Sequence, residues 1–269
     1  MEKLARSFGL VRQSYRLLLQ DAELLLLPLL SGIVMSVVVA SFFFGIGPEA
    51  MADEEAGAAL YLPAFALYVV LYAVGIFFQC AVVAGATERL RGGDPTVTSA
   101  LGAAWRRVGS ILLWSLLAAT IGMALRAVQE RVGFLGKLVV GLVGAAWSIA
   151  TFFVVPVLVL EEAYIGDVVG RSLAVVREVW GEALVGGVGI GLAAFCAWGT
   201  LVMVTLGLTS VIGMQALLVL VFSGILLAIF FSALEGVYLA SLYSYATSGN
   251  VPPGFDPETL RQAFARKGR

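Results

Sequence analysis

Six long apolar runs alternate with short polar segments along the chain. They cover Leu24–Gly47, Ala58–Ala86, Val108–Leu125, Leu138–Leu160, Ala183–Leu208 and Ala216–Tyr238, and no gap between them exceeds 22 residues. Each run approaches or exceeds the roughly 20 residues that an α-helix needs to cross about 30 Å of hydrocarbon. The pattern therefore predicts an all-α polytopic membrane bundle of six transmembrane helices, with no room for a separate soluble domain. The second run, at 29 residues, measures about 43 Å as a helix. It must tilt, kink or project from the bilayer. Pro63 near its outer end is one kink point, and Pro28 and Pro156 are others near the inner ends of the first and fourth spans.

The segments between the runs carry a second pattern. Before the first span, Leu4, Phe8, Val11 and Tyr15 fall on one helical face, flanked by Lys3, Arg6, Arg12 and Arg16. The spacing recurs before the fifth span as Val169, Leu173, Val176 and Trp180, and Arg6-Ser7-Phe8-Gly9-Leu10-Val11-Arg12 aligns with Arg171-Ser172-Leu173-Ala174-Val175-Val176-Arg177. A weaker copy, Val97, Leu101, Ala104 and Val108, follows the turn signal Gly92-Gly93-Asp94-Pro95-Thr96. The chain thus reads as three pseudo-repeated units, approximately residues 1–93, 94–160 and 161–247, each a cytoplasmic amphipathic helix followed by a transmembrane hairpin. A tail, 248–269, contains Asp256-Pro257-Glu258, which predicts a short helix carrying Leu260, Ala263 and Phe264. Two roles are open to the amphipathic helices. They brace the bundle, or they meet lipid or a partner through Arg6, Arg12, Arg171 and Arg177, each basic group gaining about 1 kcal/mol at an anionic surface.

Composition narrows the class and charge fixes the expected orientation. Of 269 residues, 60% are hydrophobic and 13% charged, half the charge of an ordinary soluble domain. Fourteen of the seventeen Lys and Arg lie in the segments that share a side with the N-terminus; only Arg126, Arg131 and Lys137 lie opposite. Positive charge resists translocation, so both termini are expected in the cytoplasm. The first run is too long for the core of a signal peptide and lacks a small-x-small cleavage pattern, so a retained span is expected. Net charge is −1, which offers no general attraction for nucleic acid. Arg outnumbers Lys 14 to 3 in a chain rich in Ala and Gly, a composition that points to a prokaryotic inner membrane.

Little chemistry stands inside the runs. Glu235 is the one charge within a span, where a carboxylate costs about 2.5–3.5 kcal/mol at mid-depth. It either snorkels to the headgroups or serves as a buried polar contact, substrate site or proton site. Gln79 is the second candidate polar intramembrane residue, to be satisfied by an interhelical hydrogen bond. Glu88, Glu161 and Glu162 close spans at the inner face within reach of Arg89, Arg91 or Arg171, and Arg126 and Glu130 stand one turn apart at the outer face. Gly187 with Gly191, and Gly144 with Ser148, offer small-residue pairs for close helix approach. Gly189-Ile190-Gly191-Leu192-Ala193-Ala194 fits a loose dinucleotide pattern but lies inside a span and follows no strand. Cys80 and Cys196 sit in apolar runs as small hydrophobes. With no histidine in the chain and no paired intramembrane aspartates, neither an enzyme nor a cofactor or metal site is expected.

Several stretches resemble an uncharacterised family of prokaryotic multi-pass membrane proteins defined only as a domain of unknown function. They are Leu24-Leu25-Leu26-Leu27-Pro28-Leu29-Leu30-Ser31-Gly32, Gly92-Gly93-Asp94-Pro95-Thr96, Thr151-Phe152-Phe153-Val154-Val155-Pro156-Val157-Leu158-Val159-Leu160-Glu161, Trp180-Gly181-Glu182, and Tyr245-Ala246-Thr247 leading to Gly254-Phe255-Asp256-Pro257. The layout is also similar, more distantly, to the membrane domain attached to some glycerophosphodiester phosphodiesterases, whose catalytic domain is absent here. Gln79 stands where the resemblance implies Asn, and Glu235 where it implies a small residue. The resulting expectation is a non-enzymatic membrane protein that organises helices or partners at the inner leaflet, in contact with lipids and with a second copy or another membrane protein. The alternative is a transporter or channel for a small or lipidic solute. A cavity reaching Gln79 or Glu235 favours the alternative; a solid bundle with splayed amphipathic helices favours the scaffold.

Overall fold

A computed structural model describes residues 14–19, 21–46 and 57–248, except the side chains at 57–59, 180–188 and 210–212. The stripe Leu4–Val11, Arg6, Arg12, the acidic linker 48–56 and the tail helix expected from Asp256 lie outside the described residues. After the helical segment 14–19 come α1 (Glu23–Ile46), α2 (Gly57–Leu90), α3 (Val97–Trp105), α4 (Val108–Arg131), α5 (Phe134–Ala150), α6 (Val154–Leu160), α7 (Val168–Glu178), α8 (Trp180–Ile212), a single 3-10 turn (Gly213–Gln215) and α9 (Ala216–Ser248). No strand occurs among the described residues. Among the described residues six helical stretches are long and apolar enough to cross a membrane: Glu23–Ile46, Leu60–Leu90, Val108–Arg131, Phe134–Leu160, Gly189–Thr209 and Gly213–Ser248.

The six runs are recovered, with two differences. The fourth span is interrupted by a turn at 151–153, which separates α5 from α6. Pro156 explains it. With no N–H, it cannot bond the Phe152 carbonyl one turn earlier, and its ring crowds that carbonyl. Pro28 and Pro63, by contrast, lie inside uninterrupted helices. The second difference is length. α9 continues ten residues past Tyr238 to Ser248, and α2 runs for 34 residues, about 51 Å at 1.5 Å per residue.

α2 is the hub: it packs against α1, α3, α4, α6 and α9. Consecutive spans pair as hairpins, α1 with α2, α4 with α5, α8 with α9. Packing is concentrated at the end where Arg89, Arg107 and Arg171 cluster, called the basic end below. Leu24, Leu27, Val82, Val83, Ala86, Ile111, Phe153, Val157, Val176, Ala233, Val237, Tyr238 and Ala240 are all buried there. Toward the opposite end the helices separate, leaving Phe44, Tyr61, Phe134, Leu206, Met214 and Phe222 exposed, and α5 buries no residue. Lipid tails are as apolar as Leu, so the driving force at the packed end is close van der Waals fit. A Cβ on Gly236 would meet Val82 Cγ1 at 2.4 Å, one on Gly85 would meet Leu24 Cδ2 at 2.8 Å, and one on Gly224 the Trp198 ring at 2.8 Å. Of the small residues singled out by spacing, Gly144 and Gly191 have open space where a Cβ would stand, Ser148 Oγ donates to its own helix at Gly144 O, and Gly187 lies outside the described side chains.

The short helices pack on the bundle. α2 ends where Gly92 adopts φ +85°, with Gly93 N–H donating to Glu88 O at 3.0 Å and Gly92 N–H to Arg89 O at 2.9 Å. This is a Schellman stop, which Gly accommodates without a Cβ penalty. Thr96 and Ser99 then form a reciprocal capping box at the start of α3, and Glu23 of α1 accepts a further bond from Val97 N–H at 3.3 Å. α3 buries Ala100 and Ala104 on α2. α7 buries Val168, Ser172, Val175 and Val176; of the expected stripe, Val176 is buried, Val169 and Leu173 are half-buried, and the Trp180 side chain lies outside the described residues. Tyr15 is exposed, its ring edge-on to Phe230, while Ser14, Leu17 and Leu18 face inward.

Candidate functional site

Three places gather polar or cavity-lining groups. The first is a rim of ion pairs at the basic end. The break after α5 leaves the Phe153 N–H free, and Ser172 of α7 accepts it at 3.0 Å. That docks α7 so that Arg171 meets Glu161, at the end of α6, through Nε and Nη2 at 2.9–3.0 Å. The Tyr243 hydroxyl of α9 donates to the same carboxylate, and its ring lies against Phe153. Partial burial alone would raise the Glu161 pKa, but the bonds from Arg171 and Tyr243 and the charge of Arg171 outweigh it and hold the carboxyl below its ordinary value. Arg171, expected as a lipid contact, is thus committed to an internal partner. Arg177 is exposed and has no ion-pair partner among the described residues.

The rim continues around the bundle. Arg107 reaches Glu162 at 3.0 Å, and Ser99 Oγ donates to Glu88 at 3.0 Å. Arg89 Nε stands 2.9 Å from Asp21 Oδ2, a charge contact rather than an aligned hydrogen bond, and Arg89 also approaches Asp94 at 3.4 Å. Burial raises the Asp21 pKa, with Arg89 opposing and Asp94 and Glu23 adding to it. At the opposite end Arg126 and Glu130 pair at 3.8 Å, both well exposed, a geometry of little energetic consequence. Spacing found the Glu161–Arg171 and Arg126–Glu130 pairs. It missed Asp21, Ser172 and Tyr243, because their partners are remote in sequence.

The second place is a cleft of about 680 Å³ between α1, α2 and α9. Pro28, Ile33 and Val37 line its α1 wall, Phe78 and Gln79 its α2 wall, and Ile225 and Ser232 its α9 wall. Leu29, Ile33, Val37 and Ile225 are exposed, so its mouth opens on the apolar surface. Its volume falls within the roughly 300–1,000 Å³ of small-molecule sites. A Cβ added to Gly32 on the wall would meet nothing within 4 Å, and one on Gly75 only Met35 Cε at 3.2 Å. The interhelical hydrogen bond expected of Gln79 is not formed. Its side chain makes no hydrogen bond among the described residues and lines the cleft beside the α2–α9 contact, with Nε2 3.4 Å from a Cβ placed on Gly236.

The third place is a smaller groove, about 310 Å³, between α8 and α9. It holds Glu235 among Phe152, Ile190, Gly191, Ala194, Phe231, Tyr238 and Leu239. The Glu235 side chain is exposed to this groove and has no hydrogen-bond or ion-pair partner among the described residues. It lies eight residues from Tyr243, about 12 Å along α9. Gln79 and Glu235 therefore serve different cavities on two sides of α9 and do not form one site. Cys80 is buried with Sγ 3.8 Å from Val155 O, and Cys196 is exposed; both are free thiols. Among the described residues no group of three His, Cys, Asp or Glu is placed to hold a metal ion.

The profile of a family of unknown function, DUF6159, matches residues 58–253. The match takes in α2 through α9, with Arg89, Arg107, Glu161, Glu162, Arg171 and Tyr243 of the rim, Gln79 and Glu235, and leaves α1, Asp21 and Glu23 outside. No curated protein and no solved structure matches the chain, and nothing in these comparisons supports the likeness to the phosphodiesterase membrane domain.

Proposed function

The chain belongs to the DUF6159 family, and we propose that it is a non-enzymatic membrane protein that holds the acyl part of a lipidic solute in the α1–α2–α9 cleft. The cleft carries this reading. From Pro28 to Val37 its α1 wall extends about 13.5 Å, close to the ~15 Å of hydrocarbon in one leaflet. It begins one turn beyond Glu23, where the charged rim stands. Apolar walls with one amide suit a chain carrying a single polar group and not a hydrated ion, whose shell needs several oxygens to replace it. The 14-to-3 bias of Lys and Arg supports an inner membrane with the rim and both termini cytoplasmic, where the exposed Arg16 is available to anionic headgroups.

Filling the cleft tests this. Gly32→Phe enters open space, so the variant should fold as the wild type does while co-purifying about tenfold less bound lipid in native mass spectrometry. Unchanged lipid occupancy would refute the reading. The scaffold role is the second reading, favoured by the ion pairs that tie α6, α7 and α9 together at the rim. It predicts that Gly32→Phe changes nothing, whereas opening the rim with Arg171→Ala releases a co-purifying membrane protein.

A further inference from the structure

We propose that the α8–α9 groove is a separate binding site for a lipophilic monovalent organic cation, with the Glu235 carboxylate as its counter-charge. The carboxylate stands exposed in a groove whose other walls are apolar, and no cation of the chain approaches it among the described residues. Phe152, Phe231 and Tyr238 place three aromatic rings on the same groove, and aromatic faces attract cations that have shed water. Gly191 and Ala194 leave the α8 wall shallow; a Cβ on Gly191 would meet nothing within 4 Å. One carboxylate among hydrocarbon is a poor cage for Ca²⁺ or Mg²⁺, which need six or so oxygen ligands. The same charge repels a phosphate or carboxylate headgroup. An amine or quaternary ammonium on an apolar body satisfies both halves of the groove at once.

The inference does not depend on the lipid cleft, which lies across α9 and uses none of these residues. Tetraphenylphosphonium is the probe, with tetraphenylborate as its anionic counterpart of the same shape, both titrated against the whole protein in nanodiscs. Saturable tetraphenylphosphonium binding is expected. Glu235→Gln should weaken it by about tenfold or more, as expected when one partner of a desolvated charge pair is removed, while Glu235→Asp retains most of it and Gln79→Ala leaves it unchanged. Gly191→Phe, which fills the groove without touching the charge, should also abolish binding. If Glu235→Gln does not fold, the wild type decides. Dicyclohexylcarbodiimide should modify Glu235, read by peptide mass spectrometry, and tetraphenylphosphonium should protect it. Binding equal in wild type and Glu235→Gln, equal binding of tetraphenylborate, or labelling without protection would each overturn the proposal.

Discussion

At Gly236 a single hydrogen atom sets how closely two spans meet. A methyl group there would sit 2.4 Å from Val82 Cγ1 and 3.1 Å from Val82 Cβ. Val82 is buried and β-branched, so its χ1 is held to one strongly preferred rotamer and it yields little. Gly236→Ala should therefore destabilise the bundle by about 1–3 kcal/mol. Gly144→Ala, which enters open space, should be neutral or gain up to about 1 kcal/mol of helix propensity. Unfolding in mixed SDS micelles compares the two, and equal effects would show that α2 and α9 do not touch there. Spacing pointed instead to Gly144 and Gly191. It identifies residues that share a helical face but is blind to what that face meets. The same blindness hid Gln79's missing partner, since an amide on an apolar helix looks alike whether a neighbour or a cleft lies opposite.

At the scale of elements, the lock between α6, α7 and α9 has a definite pH signature. Glu161 has its pKa lowered from 4.5 by Arg171 and Tyr243 against the opposing effect of burial. Its contribution to stability is complete above 4.5 and is lost as pH falls through the lower folded value. Asp21 works in the opposite sense. Its pKa is raised from 3.8 by burial, so the folded state holds its proton more tightly and stability falls as pH rises from 3.8 through the folded value. Acidification below 4.5 should thus weaken the lock while relieving Asp21. Glu161→Gln should cost roughly 1–3 kcal/mol at neutral pH, toward the low end because Arg171 is partly exposed, and should flatten the acid limb of the stability curve. An acid limb as steep in Glu161→Gln as in wild type would place the lock elsewhere. Of this lock, only the Arg171–Glu161 pair was legible, ten residues apart in sequence. Tyr243 lies 82 residues from Glu161, in a stretch whose Ser and Tyr content reads as the end of the membrane run. Only its position on a continued α9 brings it back.

For the whole molecule, length and apolarity fixed the six crossings because both are local properties. The two cavities arise from how pairs of helices diverge, which no single run encodes. Side assignment is a stricter matter. Contacts from Glu23 to Val97, Arg107 to Glu162 and Arg171 to Glu161 require the segments around residues 21, 91–107 and 161–179 to share one end of the bundle. Lys and Arg bias then gives the expectation that this end faces the cytoplasm. Two exposed positions separate the claims. Tyr164, 85% exposed, lies between α6 and α7, and Phe134, 84% exposed, begins α5 at the other end. In a background with Cys196→Ser, and Cys80 left in place because it is wholly buried, Tyr164→Cys should react with an impermeant maleimide only in inside-out vesicles. Phe134→Cys should react only from outside the cell. Reversed reactivity would keep the bundle and invert its orientation, moving the mouth of the α1–α2–α9 cleft toward the other leaflet. Reactivity of both from one side would break the threading itself, since an odd number of crossings separates the two positions only if α5 and α6 together make one span despite the break at 151–153.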